Sequence, residues 1–290
     1  MKTYFECIPC FLRQAIDTIR RVTDDEAVHE QIVRKVLFAI SEMDMQKSPP
    51  VMAQRIHRLI RGFTGETDPF KQAKKDSNRF ALKLFPELQK KVDSSDSPLE
   101  TAVRLAIAGN IIDLGAKHQL DEVNDETICK TIEDSLTAPF AADVLDDFRE
   151  AVKRATDILY LGDNAGEIVF DRLLIEQMPR GKITFVVRGT PVINDATIVD
   201  AQMTGIVDIV NVIDNGSDGP GTILKTCSDE FRRRFEAADL IIAKGQGNYE
   251  TLSGVPKDIF FLLKIKCPVI ARDIGCEVGA MVLQRNADSL

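Results

Sequence analysis

The chain has 290 residues, 44% hydrophobic and 28% charged, with a formal net charge of −8: enough for one large domain or two ordinary ones, in a globular protein. The acid excess, with a pI of about 5.1, argues against a nucleic-acid binder, which presents a basic stripe to phosphates; the run Arg232–Arg234 sits among acids and reads as a solvated helix face. Six scattered cysteines exclude a secreted disulfide framework, and no apolar stretch reaches signal-peptide or membrane-span length, so a cytoplasmic protein with no membrane partner is expected.

The first cysteines, Cys7 and Cys10, form a C-x-x-C pair. Such a pair serves as a redox couple or as half of a metal site, and Cys276 is the later cysteine in an attractive loop. From Cys10 to about Thr156 apolar residues recur at helical spacing, as in Ile32, Val33, Val36, Leu37 and Ile40. Breaks fall at Ser48–Pro50, at residues 62–69 and at residues 93–98, with Pro50 and Pro98 placed for the first turn of a helix. Six or seven helices are expected. His29, His57 and His118 read as helix-surface residues. Asp68-Pro69-Phe70 with Lys74 and Asn78 stands out mildly, as do Asn110 and Asp113, which share a helical face.

From about residue 157 the pattern becomes strand, loop, helix, repeated. The runs Ile158–Leu161, Ile183–Val187, Ile209–Ile213, Leu240–Ala243 and Val269–Ala271 are read as strands. Short, wholly apolar runs alternating with helices indicate a parallel sheet covered on both faces. The expected fold is therefore α/β: a mostly parallel three-layer sheet domain over 156–290, preceded by an all-helical region over 1–155. Ligands in such folds bind at the carboxyl ends of the strands.

Three segments fall there. Gly162-Asp163-Asn164-Ala165-Gly166-Glu167 joins a strand to a helix start, where free N–H groups attract anions. Its carboxylates, Asp163 and Glu167, would repel a phosphate unless a hard cation lay between; helix capping explains Asp163 or Asn164 equally well. Arg188 ends the next strand, suited to a bidentate anion contact, and Asn194 and Asp195 follow it. Two neighbouring turns that each deliver an Asp to one sheet edge would make a shared metal site. Lys244-Gly245-Gln246-Gly247-Asn248 is a lysine–glycine strand end resembling a phosphate cradle, without the P-loop pattern. The stretch from Asn215 to Thr222 reads as an ordinary loop before it reads as a lid or second anion contact.

Taken in order, C-x-x-C, DPF, GNxxD, GDNAGE, the ND of INDAT and KGQGNYE resemble the damage-control phosphatase (ARMT-like) family over essentially the whole chain. The C-x-x-C resembles its stand-alone prokaryotic branch. The resemblance implies a metal-dependent phosphomonoester hydrolase acting on sugar phosphates or related metabolites, using Mn²⁺, Co²⁺, Ni²⁺ or Mg²⁺. Carried over by motif, Asp163, Asn164 and Asp195 would hold the metal, and Lys244, Asn248 and Asn110 would contact phosphate or substrate. Glu167, at the helix start, and Arg188 complete the candidate site. Two rivals are a carboxyl methyltransferase using S-adenosylmethionine and a non-enzymatic metal- or redox-binding protein centred on Cys7, Cys10 and Cys276.

Overall fold

Prolines and short polar caps set where the helices begin. The computed structural model describes residues 1–111, 125–141 and 144–286, so Asp113 and His118 lie outside the described residues. Helix α1 spans Cys7–Val22, α2 Glu26–Ser41, α3 Pro49–Thr64, α4 Lys71–Asp93, α5 Pro98–Ala108, α6 Asp125–Thr137 and α7 Leu145–Arg154. Pro49 and Pro98 open α3 and α5, where the missing N–H has no intrahelical partner to lose. The Asp25 carboxylate caps α2 by accepting from the Ala27 and Val28 N–H groups. Gly65, in the left-handed region, stops α3.

The second half forms one six-stranded sheet: β1 Ile158–Leu161, β2 Ile183–Val187, β3 Asn211–Asp214, β4 Leu240–Lys244, β5 Ile259–Lys264 and β6 Met281–Arg285. Their order is β3-β2-β1-β4-β5-β6, parallel throughout except for β6, which runs antiparallel to β5. Helices α8 (Glu167–Glu176), α9 (Ile198–Met203), α10 (Asp229–Ala237), α11 (Gly245–Leu252) and α12 (Pro268–Ile274) connect them. Val269–Ala271 is thus helical, not a strand. A short apolar run carries no period of its own, and Pro268 starts a helix. The strand in this part of the chain is β5, Ile259–Lys264, which is not among the runs read as strands from the sequence. The third strand also begins two residues later than its apolar run suggests, because Ile206–Asp208 forms a 3₁₀ turn ahead of it. No helix among the described residues is long and apolar enough to cross a membrane.

Alternate residues of each strand feed two cores. Ile158, Tyr160, Phe185, Ile242 and Phe260 pack with α4, α5, α7 and α8 on one face. Leu159, Leu161, Val186, Ile241 and Phe261 pack with α10, α11 and α12 on the other. The first cluster runs from Ala81 to Leu283, so the core continues across the change of pattern near residue 156. Helices α1 to α3 build a third, smaller cluster around Phe11, Ile32 and Ile56. Where α5 meets α8, a Cβ on Gly109 would lie 2.8 Å from the Phe170 Cβ. That close approach brings the end of the helical half onto the start of α8. Strand order reverses between β1 and β4, the point at which α/β sheets bind ligands.

Because Phe148 of α7 is wholly buried and packs edge-on against Phe260 of β5 at 5.3 Å between centroids, Phe148→Ala should cost about 3–5 kcal/mol. Helical ellipticity and tyrosine near-ultraviolet signal should fall together in one denaturant transition. Separate transitions for α4–α7 and the sheet would show that the two do not share a core.

Candidate active site

Two βα turns are laced together at the carboxyl edge of the sheet. After β1, the Asp163 carbonyl accepts from Ala196 N–H at 2.8 Å, and Ala165 N–H donates to the Asn194 carbonyl at 2.9 Å. After β2, Arg188 N–H donates to the Ala196 carbonyl at 2.9 Å. This lacing sets Asn164 opposite Asp195 as an isolated antiparallel bridge, so Asp163 and Asp195 share one edge as the sequence suggested. The turn that delivers Asp195 closes with Asp195 N–H on the Val192 carbonyl at 3.1 Å. Its second residue, Ile193, has φ 47°, the one positive φ outside glycine among the described residues. A β-branched side chain in that region costs about 1–3 kcal/mol, which the surrounding structure must offset.

The side chains around these turns form a buried charge cluster. Arg188, 1% exposed, donates from Nε to Asp195 Oδ2 at 2.6 Å and holds Nη2 3.6 Å from Asp163 Oδ1. Its Nη1 and Nη2 have no hydrogen-bond partner among the described residues. The Asn164 amide nitrogen donates to Asp163 at 3.0 Å and to Glu167 at 3.1 Å. Asn110, from the helical half, donates to Glu167 at 2.7 Å. Burial first, then the charges of Asp195 and Glu167, hold the Asp163 carboxyl well above the usual range, against the pull of Arg188 and Lys266.

Lys244 sits deeper than a phosphate contact would. It is fully buried, and its three protons go to the Ala106 carbonyl, Glu167 and Asp171. Burial alone would depress its pKa, but Asp171 and Glu167 outweigh that and hold it above the ordinary value. Asp171 also accepts from Tyr160 Oη at 2.8 Å, and burial lifts it to about 6 in spite of Lys244. Lys244 thus neutralises a buried acid pair. Asn248 is likewise committed: it donates to the Lys244 and Gly162 carbonyls and accepts from Thr222 Oγ1. What this segment does present is the start of α11. Lys244 caps that helix without a side-chain bond, its first N–H groups have no intrahelical acceptors, and Gly245 lies against Asp163: a Cβ there would fall 1.9 Å from Asp163 Oδ2.

At α8 the helix start is already occupied, since Gly166 N–H donates to Asn78 Oδ1 at 2.6 Å. The Asn78 amide in turn donates to Asp200 at 2.9 Å, whose other oxygen caps α9 through Thr197. Lys74 lies 2.8 Å from Asp68 and 3.5 Å from Asp200. The DPF segment, Lys74 and Asn78 are therefore a brace between the helical half and both turns. The Asn215–Thr222 loop is pinned too: Asp218 accepts from Gln54, Arg58 and Arg61 of α3.

Sequence reasoning missed three residues. Asp171 follows Glu167 by four positions on a helix that otherwise buries apolar side chains, a pairing of acids that was legible. Tyr160, inside a strand, gave no signal. Lys266, exposed yet acting on Asp163, follows the strand that periodicity did not identify. The cysteines lie elsewhere. All five described thiols are free; burial raises the Cys7 pKa, and Glu250, Cys267 and Cys10 are the charges that act on it. Among the later cysteines, Cys267 is the one whose charge acts on Cys7. No group of three or more His, Cys, Asp or Glu side chains among the described residues is disposed to hold a metal ion. His57 is buried, not on the helix surface, because that face of α3 packs inward.

The damage-control phosphatase ARMT1-like domain matches residues 3–282. The chain is 38% identical to a damage-control phosphatase of Archaeoglobus fulgidus, over 95% of this chain and 96% of that one. It is 34% identical to a damage-control phosphatase of Pyrococcus horikoshii, over 99% of each. The crystal structure of a DUF89 family protein from Pyrococcus horikoshii superposes with a TM-score of 0.89, covering 99% of both chains.

Two outcomes follow from the geometry. Gly245→Ala should abolish activity, because the methyl group collides with Asp163 and the backbone is at φ +75°; full activity in that variant would mean the α11 start and Asp163 are not in contact. A carboxyl raised by folding stabilises only while protonated, so its contribution is full below the unfolded value and is lost as pH rises through the folded one. Metal-stripped protein should therefore lose melting temperature as pH rises above the ordinary carboxylate range. Asp163→Asn should flatten that loss and raise the melting temperature at the upper end by about 2 °C or more. A lower melting temperature in the variant at every pH would contradict the repulsion.

Proposed function

We propose a metal-assisted route for this chain, which belongs to the ARMT1-like damage-control phosphatase family and is a hydrolase of phosphate esters. The observation that carries it is a charge imbalance. Among the described residues the buried acids Asp163, Asp195, Glu167 and Asp171 have Arg188 and Lys244 as buried ion-pair partners, a formal excess of two negative charges among the buried groups, with Lys266 acting on Asp163 from the exposed rim. A divalent cation fits that excess. Asp163, Asn164 and Asp195 would hold the ion, offering hard oxygen donors on two laced turns suited to Mn²⁺, Co²⁺, Ni²⁺ or Mg²⁺. Bound there, the ion would polarise a phosphoryl oxygen and offset its charge.

The chain's own groups then divide the work. The open N-terminus of α11 receives phosphate oxygens through backbone N–H groups. Arg188 holds Asp163 and Asp195 in register, and Lys266 supplies an exposed positive charge at the rim. Lys244 and Asn110 act on Glu167, fixing it beside Asn164 rather than meeting substrate themselves. The substrates are phosphate esters of sugars or related metabolites, and the setting is the cytoplasm, consistent with free thiols at all five described cysteines.

The test is phosphate release from p-nitrophenyl phosphate and a sugar-phosphate panel by metal-stripped protein, with each ion added back, alongside calorimetric titration of Mn²⁺. Activity should return with metal, and Asp163→Ala and Asp195→Ala should lose both turnover and the titration signal while remaining folded. Full turnover in a chelated sample, or unchanged metal binding in both variants, would sink the assignment.

A further inference from the structure

Behind the Asp195 turn lies a small cavity that the route above does not use. His57 and Arg61 of α3, Asp68, and Pro191, Val192 and Ile193 line it, and it has room for the centre of one water, ≈ 10 Å³. That is about the least volume that holds one. Two polar atoms on its wall are buried without a hydrogen-bond partner among the described residues, His57 Nε2 and Asp68 Oδ1. His57 is 4% exposed. Burial, then Arg61, brings its pKa down to about 4, against Asp218, so the imidazole is neutral and offers one N–H. The other Asp68 oxygen is engaged by Lys74 at 2.8 Å.

A neutral donor and a carboxylate acceptor, both unmet, on one water-sized cavity are the setting in which native interiors hold an ordered water. The third wall is the Val192–Asp195 turn, where Ile193 occupies a second position that ordinarily calls for glycine. Arg61 Nη1 donates to the Pro191 carbonyl at 3.4 Å on the same side. A strained turn persists only where its surroundings leave it no alternative.

We propose that one ordered water fills this cavity, bridging His57 Nε2 and Asp68 Oδ1, and that His57 and Asp68 are positioning residues which, through the filled cavity, hold the Ile193 turn and with it the Asp195 carboxylate. The functional half of this rests on Asp195 belonging to the phosphatase site. Displacing a catalytic group by about 1 Å can cost about 100-fold in rate, so support behind the turn matters as much as the ligand itself.

A high-resolution crystal structure of the full chain decides the first half. Water density within about 2.6–3.2 Å of both atoms is expected; a dry cavity, or a direct bond between the two side chains, overturns the bridge. His57→Leu, which keeps bulk and removes the polar atom, tests the second half, with Ile56→Ala on the same helix as a stability control. In His57→Leu, kcat for p-nitrophenyl phosphate should fall about 10- to 100-fold, with KM changed less than about twofold. His57→Gln should recover most of the loss, and Ile56→Ala should lower the melting temperature without that fall. An unchanged kcat in a folded His57→Leu overturns the positioning role. Crystals of the same variant give a readout without turnover: the Asp195 carboxylate should move by about 0.5 Å or more, and an unmoved carboxylate counts against the proposal. If wild-type protein itself released no phosphate, the phosphatase site would fail while the water and the Asp195 displacement still judged the cavity.

Discussion

The structure depends on holding like charges together at one sheet edge. Asp163 and Asp195 reach that edge because the turns after β1 and β2 exchange backbone hydrogen bonds, and their carboxylates are almost wholly out of water. Burying ionised groups costs several kcal/mol each even after relaxation, and the repulsion between acids adds to it. Packing supplies what offsets this cost. The apolar strands β1, β2 and β4 are buried along their whole length, so the turns at their ends have little freedom to separate. Stability built in the core is spent at the edge, a division common to catalytic sites.

The helical half makes the edge tolerable. It contributes few charges to the cluster and many neutral partners: the Ala106 carbonyl for Lys244, the Asn110 amide for Glu167, and Asn78 for Gly166. Each satisfies a group that would otherwise be buried unpaired. Asp68, Lys74 and Asp200 form a second ion cluster behind α9, so charge is distributed in two layers. The outer layer locks the helix starts and the inner one is left short of positive charge. The Asn215–Thr222 loop fits this division. Clamped to α3 through Asp218 and to α11 through Thr222, it is a wall of the site, with buried Asn215, Ser217 and Thr222.

Much of this was legible in the residues. Strands β1, β2 and β4 were plain, because a strand covered on both faces must be apolar at every position and little else produces four or five such residues between polar turns. The gathering of Asp163, Asn164 and Asp195 was legible from topology, since consecutive βα turns of a parallel sheet emerge at one edge. Val269–Ala271 shows where the reading stops. Three apolar residues fit a strand or the buried side of a helix equally, and only the pairing of β5 with β4 and β6 decides between them. Losing β5 also lost Lys266. The place of Lys244 was hidden for a different reason. A lysine beside glycines at a strand end reads as a phosphate ligand until its neighbours are known, and its acceptors Ala106, Glu167 and Asp171 come from other segments. No local pattern records that all three of its protons are taken.

Because those protons are taken, the inner cluster is electrostatically fixed before any ligand arrives. Lys244 has no proton left to offer, Arg188 is tied to Asp195 at 2.6 Å, and the Asn164 amide nitrogen is shared by two carboxylates. Side chains held this way cannot reorganise to meet developing charge on a phosphoryl group. They can only present a field already in place, which is the arrangement that lowers a reaction barrier most effectively in a dry site. On the proposed route the flexible contribution comes from what enters: a cation that answers the excess of buried negative charge, and a phosphate that meets the start of α11. A cluster with its own charges balanced would be more stable and would have no use for either. On the proposed metal-assisted route, the imbalance around Asp163 and Asp195 is the physical link between the fold and the chemistry: the carboxylates that burial and mutual repulsion disfavour are the ones that route assigns to the ion.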